Sequence, residues 1–511
     1  MPIIEAIYAV SVLLLAIYGL NSLFLTLLFW LWRRRKESNP PPLMADGHWP
    51  TVTVQLPIFN ELHVVERLIA AVAEMDYPRD KLQIQVLDDS TDRTQVIVRE
   101  AVERYRRRGL DIEYCHRTNR RGFKAGALAA GLTEARGEIL ALFDADFLPR
   151  PDFLLRTIPY FADPRIGCIQ TRWDHLNADY SFLTRAQAIG IDGHFIVEQT
   201  ARNRHGFFIN FNGTAGLWRR SCIEEAGGWC SDTLTEDLDL SYRAQLAGWR
   251  FLYLPHVTVP GELPAQIDAL KRQQFRWAKG SIQTAAKLLL PLWRSRFPLW
   301  IKVEGTIHLT NYLAHPIMVV LLLLALPIGF SRSPLLAFIP YLLISAIGPP
   351  LLYYCAQANQ EQPWWRRLLF LLILILLGTG LSWSNSMAIF QAVIGTQSDF
   401  RRTPKFGIQG RGERWQDSLY SLPRDASTWG ELLLGVYAAS LFLYTAFVSH
   451  MSPPPWLIIY ALGYAYVSGL SLWQSLGYRR RIRTALARSS ISLPAVLPAS
   501  GGRNRLPPLR Q

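Results

Sequence analysis

The sequence is poor in cysteine and has no paired cysteine motif. Its five cysteines, Cys115, Cys168, Cys222, Cys230 and Cys355, are scattered and show no CxxC spacing. That excludes a zinc ribbon or a disulfide scaffold and reads as structural thiols of a reducing compartment. Acidic residues are also short, 40 Asp+Glu against 54 Lys+Arg, for a formal charge of +14. A basic balance suits nucleic acid, anionic lipid or phosphate-bearing ligands. No helix-turn-helix, zinc-finger or RRM pattern accompanies the charge, so no nucleic-acid partner is expected. Much of the excess instead flanks apolar runs, at Arg33-Arg34-Arg35-Lys36, Arg366-Arg367 and Arg479 to Arg483. Between Pro50 and about Leu290 no run is long and apolar enough to cross a bilayer.

What is abundant is apolar and aromatic. Half of the 511 residues are hydrophobic, 12% are aromatic and 17 are Trp. The first apolar run, Ile3 to Trp32, exceeds the roughly 20 residues a membrane helix needs, and its basic cluster comes after it, not before. The positive-inside rule then puts the N-terminus outside and residue 33 onward in the cytoplasm. Further runs near 306–330, 335–357, 431–449 and 456–474 qualify as spans. Leu368 to Gly395 is apolar at first but carries Ser382, Ser384, Asn385, Ser386 and Gln391 between two basic clusters, and is expected to be a re-entrant or interfacial helix, giving five spans. The expected division is a membrane helix at 1–36, a globular domain at 50–290, an interfacial helix at 291–305, a membrane bundle at 306–478 that includes a loop at 396–424, and a basic tail at 479–511.

The globular segment alternates strand and helix patterns. Strands are expected at Thr51–Leu56, Leu82–Leu87, Ile112–Cys115 and Ile139–Phe143, and helices at Leu62–Glu74, Thr94–Arg108 and Ala125–Ala135. This is an α/β domain with a mostly parallel sheet, inserted in an all-α membrane region. Ligands of such sheets bind beyond the carboxyl ends of the strands, where Asp88-Asp89 and Asp144-Ala145-Asp146 fall.

Six constellations carry chemistry. Asp144 and Asp146 leave a strand at i and i+2 and offer hard oxygen ligands to Mg²⁺ or Mn²⁺; the bland alternative is a polar turn. Asp88 and Asp89 can accept from a nucleobase NH or a ribose hydroxyl, or simply close a turn. The basic loop Arg120-Arg121-Gly122-Phe123-Lys124 opens a helix and can hold a pyrophosphate, or be a solvated helix start. In Thr235-Glu236-Asp237, Thr233 and Glu236 fit a capping box, which leaves Asp237 to act as a base toward an acceptor hydroxyl. Gln273, Arg276 and Trp277 share one helix face; Arg276 can stabilise a departing diphosphate and Trp277 can stack on a sugar, or the helix is a basic interfacial one. Phe400-x-x-Thr403-x-Lys405 reads either as a mobile loop over the site or as an ordinary juxtamembrane loop. Asn212-Gly213-Thr214 matches a glycosylation sequon, but in a cytoplasmic domain the turn is expected to line the acceptor site.

In this order the motifs resemble the D, DxD, TED, QxxRW series of the family 2 inverting glycosyltransferases of GT-A fold, within the cellulose-synthase superfamily. The text is most similar to the cellulose-synthase-like A and C proteins, the mannan, glucomannan or β-glucan backbone synthases. The likeness rests on Gln85–Asp92 (QVLDDSTD), Asn119–Leu128 (NRRGFKAGAL), Phe143–Phe147 (FDADF), Phe211–Gly216 (FNGTAG) and Glu225–Trp229 (EAGGW). The resemblance implies Asp88 and Asp89 on the nucleotide, with Lys124, Asp144, Gln273 and Arg276 around the donor. It further implies Asp146 with Asp144 as metal ligands and Asp237, beside Glu236, as general base. Trp277, Asn212 and Gly213 would meet the acceptor, and Phe400, Thr403 and Lys405 would form a gating loop. Position 402 is Arg where the gating motif of the family has Val, and nothing resembles a zinc RING or a cyclic-di-GMP-binding module. The expected activity is transfer of glucose or mannose from UDP-glucose or GDP-mannose to a growing β-linked, β-1,4 polysaccharide moved across the membrane. A non-processive ceramide or diacylglycerol glucosyltransferase shares most of these motifs and is the alternative. Membrane lipid is an expected neighbour, and self-association into a homo-oligomer stays open.

Overall fold

The computed structural model describes residues 1–33, 49–329, 331, 342–358, 364–396, 402–410, 412–448 and 454–489. Seven strands form one sheet in the order β3-β2-β1-β4-β6-β5-β7. They are β1 Val52–Ile58, β2 Leu82–Asp88, β3 Ile112–His116, β4 Ile139–Leu142, β5 Ile166–His175, β6 Gly216–Arg219 and β7 Arg250–Gly261. β1 pairs in parallel with β2 and β4, and β2 with β3. β6 is antiparallel to β4 and β5, while β5 and β7 run parallel. The four expected strands and their helices are present with shifted ends; the first helix, for example, runs Val65–Ala73.

Alternation along the strands builds two cores, because successive side chains leave a strand on opposite faces. Ile139 and Ala141 of β4 pack with Val54 and Leu56 against Leu68 and Ile69 of the Val65–Ala73 helix. Leu140 and Leu142 point the other way, toward Leu128, Trp218 and Leu240. Buried polar residues pair across β1 and β2: Thr53 Oγ1 donates to Gln83 Oε1 at 2.7 Å and Gln55 Nε2 to Gln85 Oε1 at 3.0 Å, while Gln55 Oε1 and Gln85 Nε2 are buried without a partner among the described residues. Removing either partner would leave a buried polar atom unpaired, at about 1–3 kcal/mol.

Among the described residues, five helices are long and apolar enough to cross a membrane: Pro2–Arg33, Leu299–Gly329, Phe370–Val393, Thr428–Phe447 and Trp456–Leu476. Phe370–Val393, expected as a re-entrant or interfacial helix from its polar residues, is thus also long and apolar enough to cross. Those residues are turned inward: Ser382 Oγ lies 2.7 Å from Tyr464 Oη and Asn385 Nδ2 3.0 Å from His315 Nε2, so they meet protein and not lipid. Of the expected 335–357 span, residues 335–341 lie outside the described residues; the rest is divided between the short turn Leu343–Ile347 and the Gly348–Ala358 helix.

The Ile267–Arg294 helix joins the two regions. Its first turns are clamped to the bundle: Lys271 Nζ meets Glu431 Oε2 at 2.6 Å, and Ser471 Oγ donates to Asp268 Oδ1 at 2.8 Å. Lys271 and Glu431 are both buried, and burial without a partner would cost each several kcal/mol.

Candidate active site

One cleft gathers residues from widely separated stretches of the chain. It opens beyond the carboxyl ends of β1, β2 and β4. Asp89, Lys124, Asp144, Asp146, Asn212, Gly213, Glu236, Asp237, Gln273, Arg276, Trp277, Thr403 and Lys405 all line it. Asp88 does not. It is fully buried at the end of β2, accepting from Ser90 N at 2.9 Å and from Tyr114 Oη at 2.9 Å. In this arrangement Asp88 shapes the turn, and Asp89 faces the cleft, gripped by Arg117 through Nε at 2.8 Å and Nη2 at 2.5 Å. Phe400 lies outside the described residues.

The DxD carboxylates leave the end of β4, and each is met by an ammonium. Lys124 Nζ lies 2.5 Å from Asp144 Oδ1, and Lys405 Nζ 2.6 Å from Asp146 Oδ2. Lys124 also donates to the carbonyl of Gly213 at 2.8 Å. Burial pulls the Lys124 ammonium down, but Asp144, Glu236 and Asp237 outweigh it, and the net shift is upward. Its charge is therefore secure.

The expected capping box is not formed. Thr235, not Thr233, stands at the N-cap position of the Glu236–Leu246 helix and makes no side-chain capping bond, and Thr233 Oγ1 is buried without a hydrogen-bond partner among the described residues. Glu236 instead faces Lys124 at 4.0 Å. Asp237 Oδ1 accepts from its neighbour Leu238 N at 2.9 Å, which leaves Oδ2 toward Gly213. Burial and then Glu236 raise the Asp237 carboxyl to about 7, against the pull of Lys124 and Arg276. A carboxylate poised there suits general-base work near neutrality.

Gln273, Arg276 and Trp277 come from the Ile267–Arg294 helix. Gly280 of that helix lets it approach Thr235: a Cβ at Gly280 would sit 2.5 Å from Thr235 Cγ2. Gln273, Trp277, Asn212 and Asp237 also border a second cavity, which continues between the Gly193–Glu198 turn and the membrane helices, past Tyr312, His315 and Asn385.

A strap from residue 402 closes the other side. Glu262, next to β7, accepts from Arg67 Nη2 at 2.9 Å and from the backbone N–H groups of Phe406 and Gly407 at 2.7 and 3.0 Å. Arg402 pairs with Glu61 at 2.7 Å and sits 4.4 Å over the Tyr420 ring. Glu61, Glu262, Arg67 and Trp173 carry no motif that marks them in the sequence. Glu61 had a positional signal, since it follows the carboxyl end of β1 as Asp89 follows that of β2. Glu262 and Arg67 had none.

Residues 50–280 match the description "Glycosyltransferase like family 2". They form a family 2 glycosyltransferase domain. The chain is 42% identical over 281 residues to glucomannan 4-beta-mannosyltransferase 1 of Oryza sativa subsp. japonica, covering 53% of this chain and 54% of the relative. It is 43% identical over 266 residues to glucomannan 4-beta-mannosyltransferase 2 of Arabidopsis thaliana, covering 51% of this chain and 50% of the relative. The chain thus spans about half the length of the curated relatives it matches. The chain also resembles, at 24% identity and a TM-score of 0.54, a mannosyltransferase from Pyrobaculum calidifontis solved with GDP-Man and Mn²⁺; the match covers 77% of this chain and all of that one. That likeness shows the GT-A type of fold.

Proposed function

We propose that the chain is a membrane-bound, inverting transferase that moves mannose from GDP-mannose to the terminal hydroxyl of a β-1,4-linked glycan. The observation that carries the reading is the single cleft holding Asp144, Asp146, Asp237, Arg276 and Trp277 together. The names of the relatives favour mannose over glucose, and the ligand of the Pyrobaculum protein favours a guanosine donor.

Asp237 takes the proton of the acceptor hydroxyl, whose oxygen bonds to the anomeric carbon as the bond to the diphosphate oxygen breaks. The electron pair leaves on the diphosphate, where Arg276 and Lys124 balance its charge. Attack opposite the leaving group turns an α-linked donor into a β-glycoside. Asp144 and Asp146 fit a divalent cation, since both carboxylates already face positive charge and supply hard oxygen donors. Mg²⁺ or Mn²⁺ bound there supplies further neutralisation of the diphosphate. Trp277 stacks the acceptor's last sugar, and the second cavity receives the sugars behind it on the way into the membrane bundle. Positive-inside topology keeps the catalytic domain cytoplasmic, with the product passing outward.

The purified protein in detergent, given labelled GDP-mannose or UDP-glucose with Mn²⁺, tests this. Label from GDP-mannose should enter a polymer that endo-β-1,4-mannanase degrades. Label found only in an organic-phase glycolipid, or only from UDP-glucose, would contradict the proposal.

A further inference from the structure

Between the two cavities a series of hydrogen bonds converges on the Asn212 amide, which borders both. Gln199 Nε2 donates to the backbone carbonyl of Asn210 at 2.9 Å, and a carbonyl can only accept. The same nitrogen donates to Asn212 Oδ1 at 2.8 Å. The Asn212 nitrogen is thereby turned to His194 Nε2, 3.2 Å away. That ring nitrogen must accept, so the ring proton sits on Nδ1, which meets Glu198 Oε2 at 2.9 Å. One backbone carbonyl thus fixes every donor and acceptor in the series. Burial raises the Glu198 carboxyl, but His194 and Arg202 more than offset it and the net shift is downward, so Glu198 remains a charged acceptor. Arg202 carries the series on to Glu304 at 2.8 Å, on the Leu299–Thr310 helix.

His194 and Glu198 sit on the π-helical turn Gly193–Glu198, a distortion that recurs at functional sites. The loop before β6 that carries Asn212 is tied to the Asp237 helix, because Phe211 N donates to Ser241 Oγ at 2.9 Å and Ser241 Oγ to the carbonyl of Asp237 at 2.6 Å. Asn212 and Asp237 therefore move together.

We propose that the Glu198–His194 pair is a positioning device for the acceptor sugar: it holds the Asn212 amide so that its second N–H meets a ring hydroxyl of the β-linked hexose seated between Asp237 and Trp277. This rests on the transferase reading above. Water needs no such orientation to attack the donor, so losing the device should spare hydrolysis of the donor and impair transfer.

The test compares His194→Leu, His194→Gln and Glu198→Gln with the native protein, reading free mannose and polymer-bound mannose from GDP-mannose. His194→Leu should raise the ratio of hydrolysis to transfer about tenfold at an unchanged KM for donor, the size of effect that misorientation of a reactant gives. His194→Gln, which can still accept from Asn212, should recover part of it, and Glu198→Gln, which accepts from Nδ1–H without the charge, should raise the ratio by less than His194→Leu does. A ¹⁵N-histidine spectrum, with His194 assigned by its loss in His194→Gln, should show the Nδ1-protonated ring without any turnover. Equal loss of hydrolysis and transfer, native behaviour of His194→Leu, or an Nε2-protonated ring would each overturn the proposal. Absence of any mannose incorporation by the native protein would instead strike the transferase reading, with the ring tautomer still reporting on the device.

Discussion

Substituting Gly213 by alanine should uncouple folding from chemistry. Gly213 has φ of 82°, the left-handed region, where an L side chain costs about 1–2 kcal/mol. Its added Cβ would stand 2.8 Å from Asp237 Oδ2 and 3.4 Å from Lys124 Nζ. The first contact falls several tenths of an ångström short of ordinary packing. Asp237 Oδ2 is the end of a flexible side chain, so it can swing away at little cost to stability. The base would then leave its line to the acceptor, and a displacement approaching 1 Å costs about 100-fold in rate. The expected Gly213→Ala protein folds with a modestly lowered Tm, binds GDP-mannose by calorimetry much as the native protein does, and transfers mannose about 10- to 100-fold more slowly. Transfer within a factor of about two of native, in a protein that keeps its fold, would refute the claim that this glycine makes room for the base.

The same geometry carries three more expected outcomes. Because Asp237 must be ionised to accept a proton and its carboxyl is raised to about 7, kcat/KM should fall as pH drops through that value; a flat profile there would remove Asp237 from the role. Lys271→Met should lower stability by about 3–5 kcal/mol by stranding the Glu431 charge, and Lys271→Met with Glu431→Leu should recover most of it in thermal unfolding; additive losses would deny the pair. Chelation should stop transfer, with Mn²⁺ or Mg²⁺ restoring it in the native protein and not in Asp146→Asn; restoration in that variant would place the metal elsewhere.

Strands β1 to β4 were legible because short β-branched runs end in turn residues, and the parallel order came from the helices between them. The antiparallel insertion of β6 was not, since Gly216–Arg219 has only four residues and its pairing with β4 and β5 is set by contacts far along the chain. Asp144, Asp146, Asp237 and the Gln273–Trp277 face were readable as motifs that converge in one cleft. Asp88 shows where motif reading loses resolution: two adjacent acids at a strand end point to opposite sides, so only Asp89 faces the ligand edge. The polar residues of Phe370–Val393 were hard to place for the reverse reason, since hydropathy cannot tell a serine facing lipid from one facing Tyr464. His194 and Glu198 carried no motif, and only the fold brings them to Asn212.

The most direct test of the account is the Asp237→Asn protein, assayed for GDP-mannose binding and for mannose transfer in the same preparation. Donor affinity within a few-fold of native, together with transfer lower by about 10²- to 10⁴-fold, is the predicted result. Transfer at the native rate, or loss of donor binding in step with transfer, would contradict it.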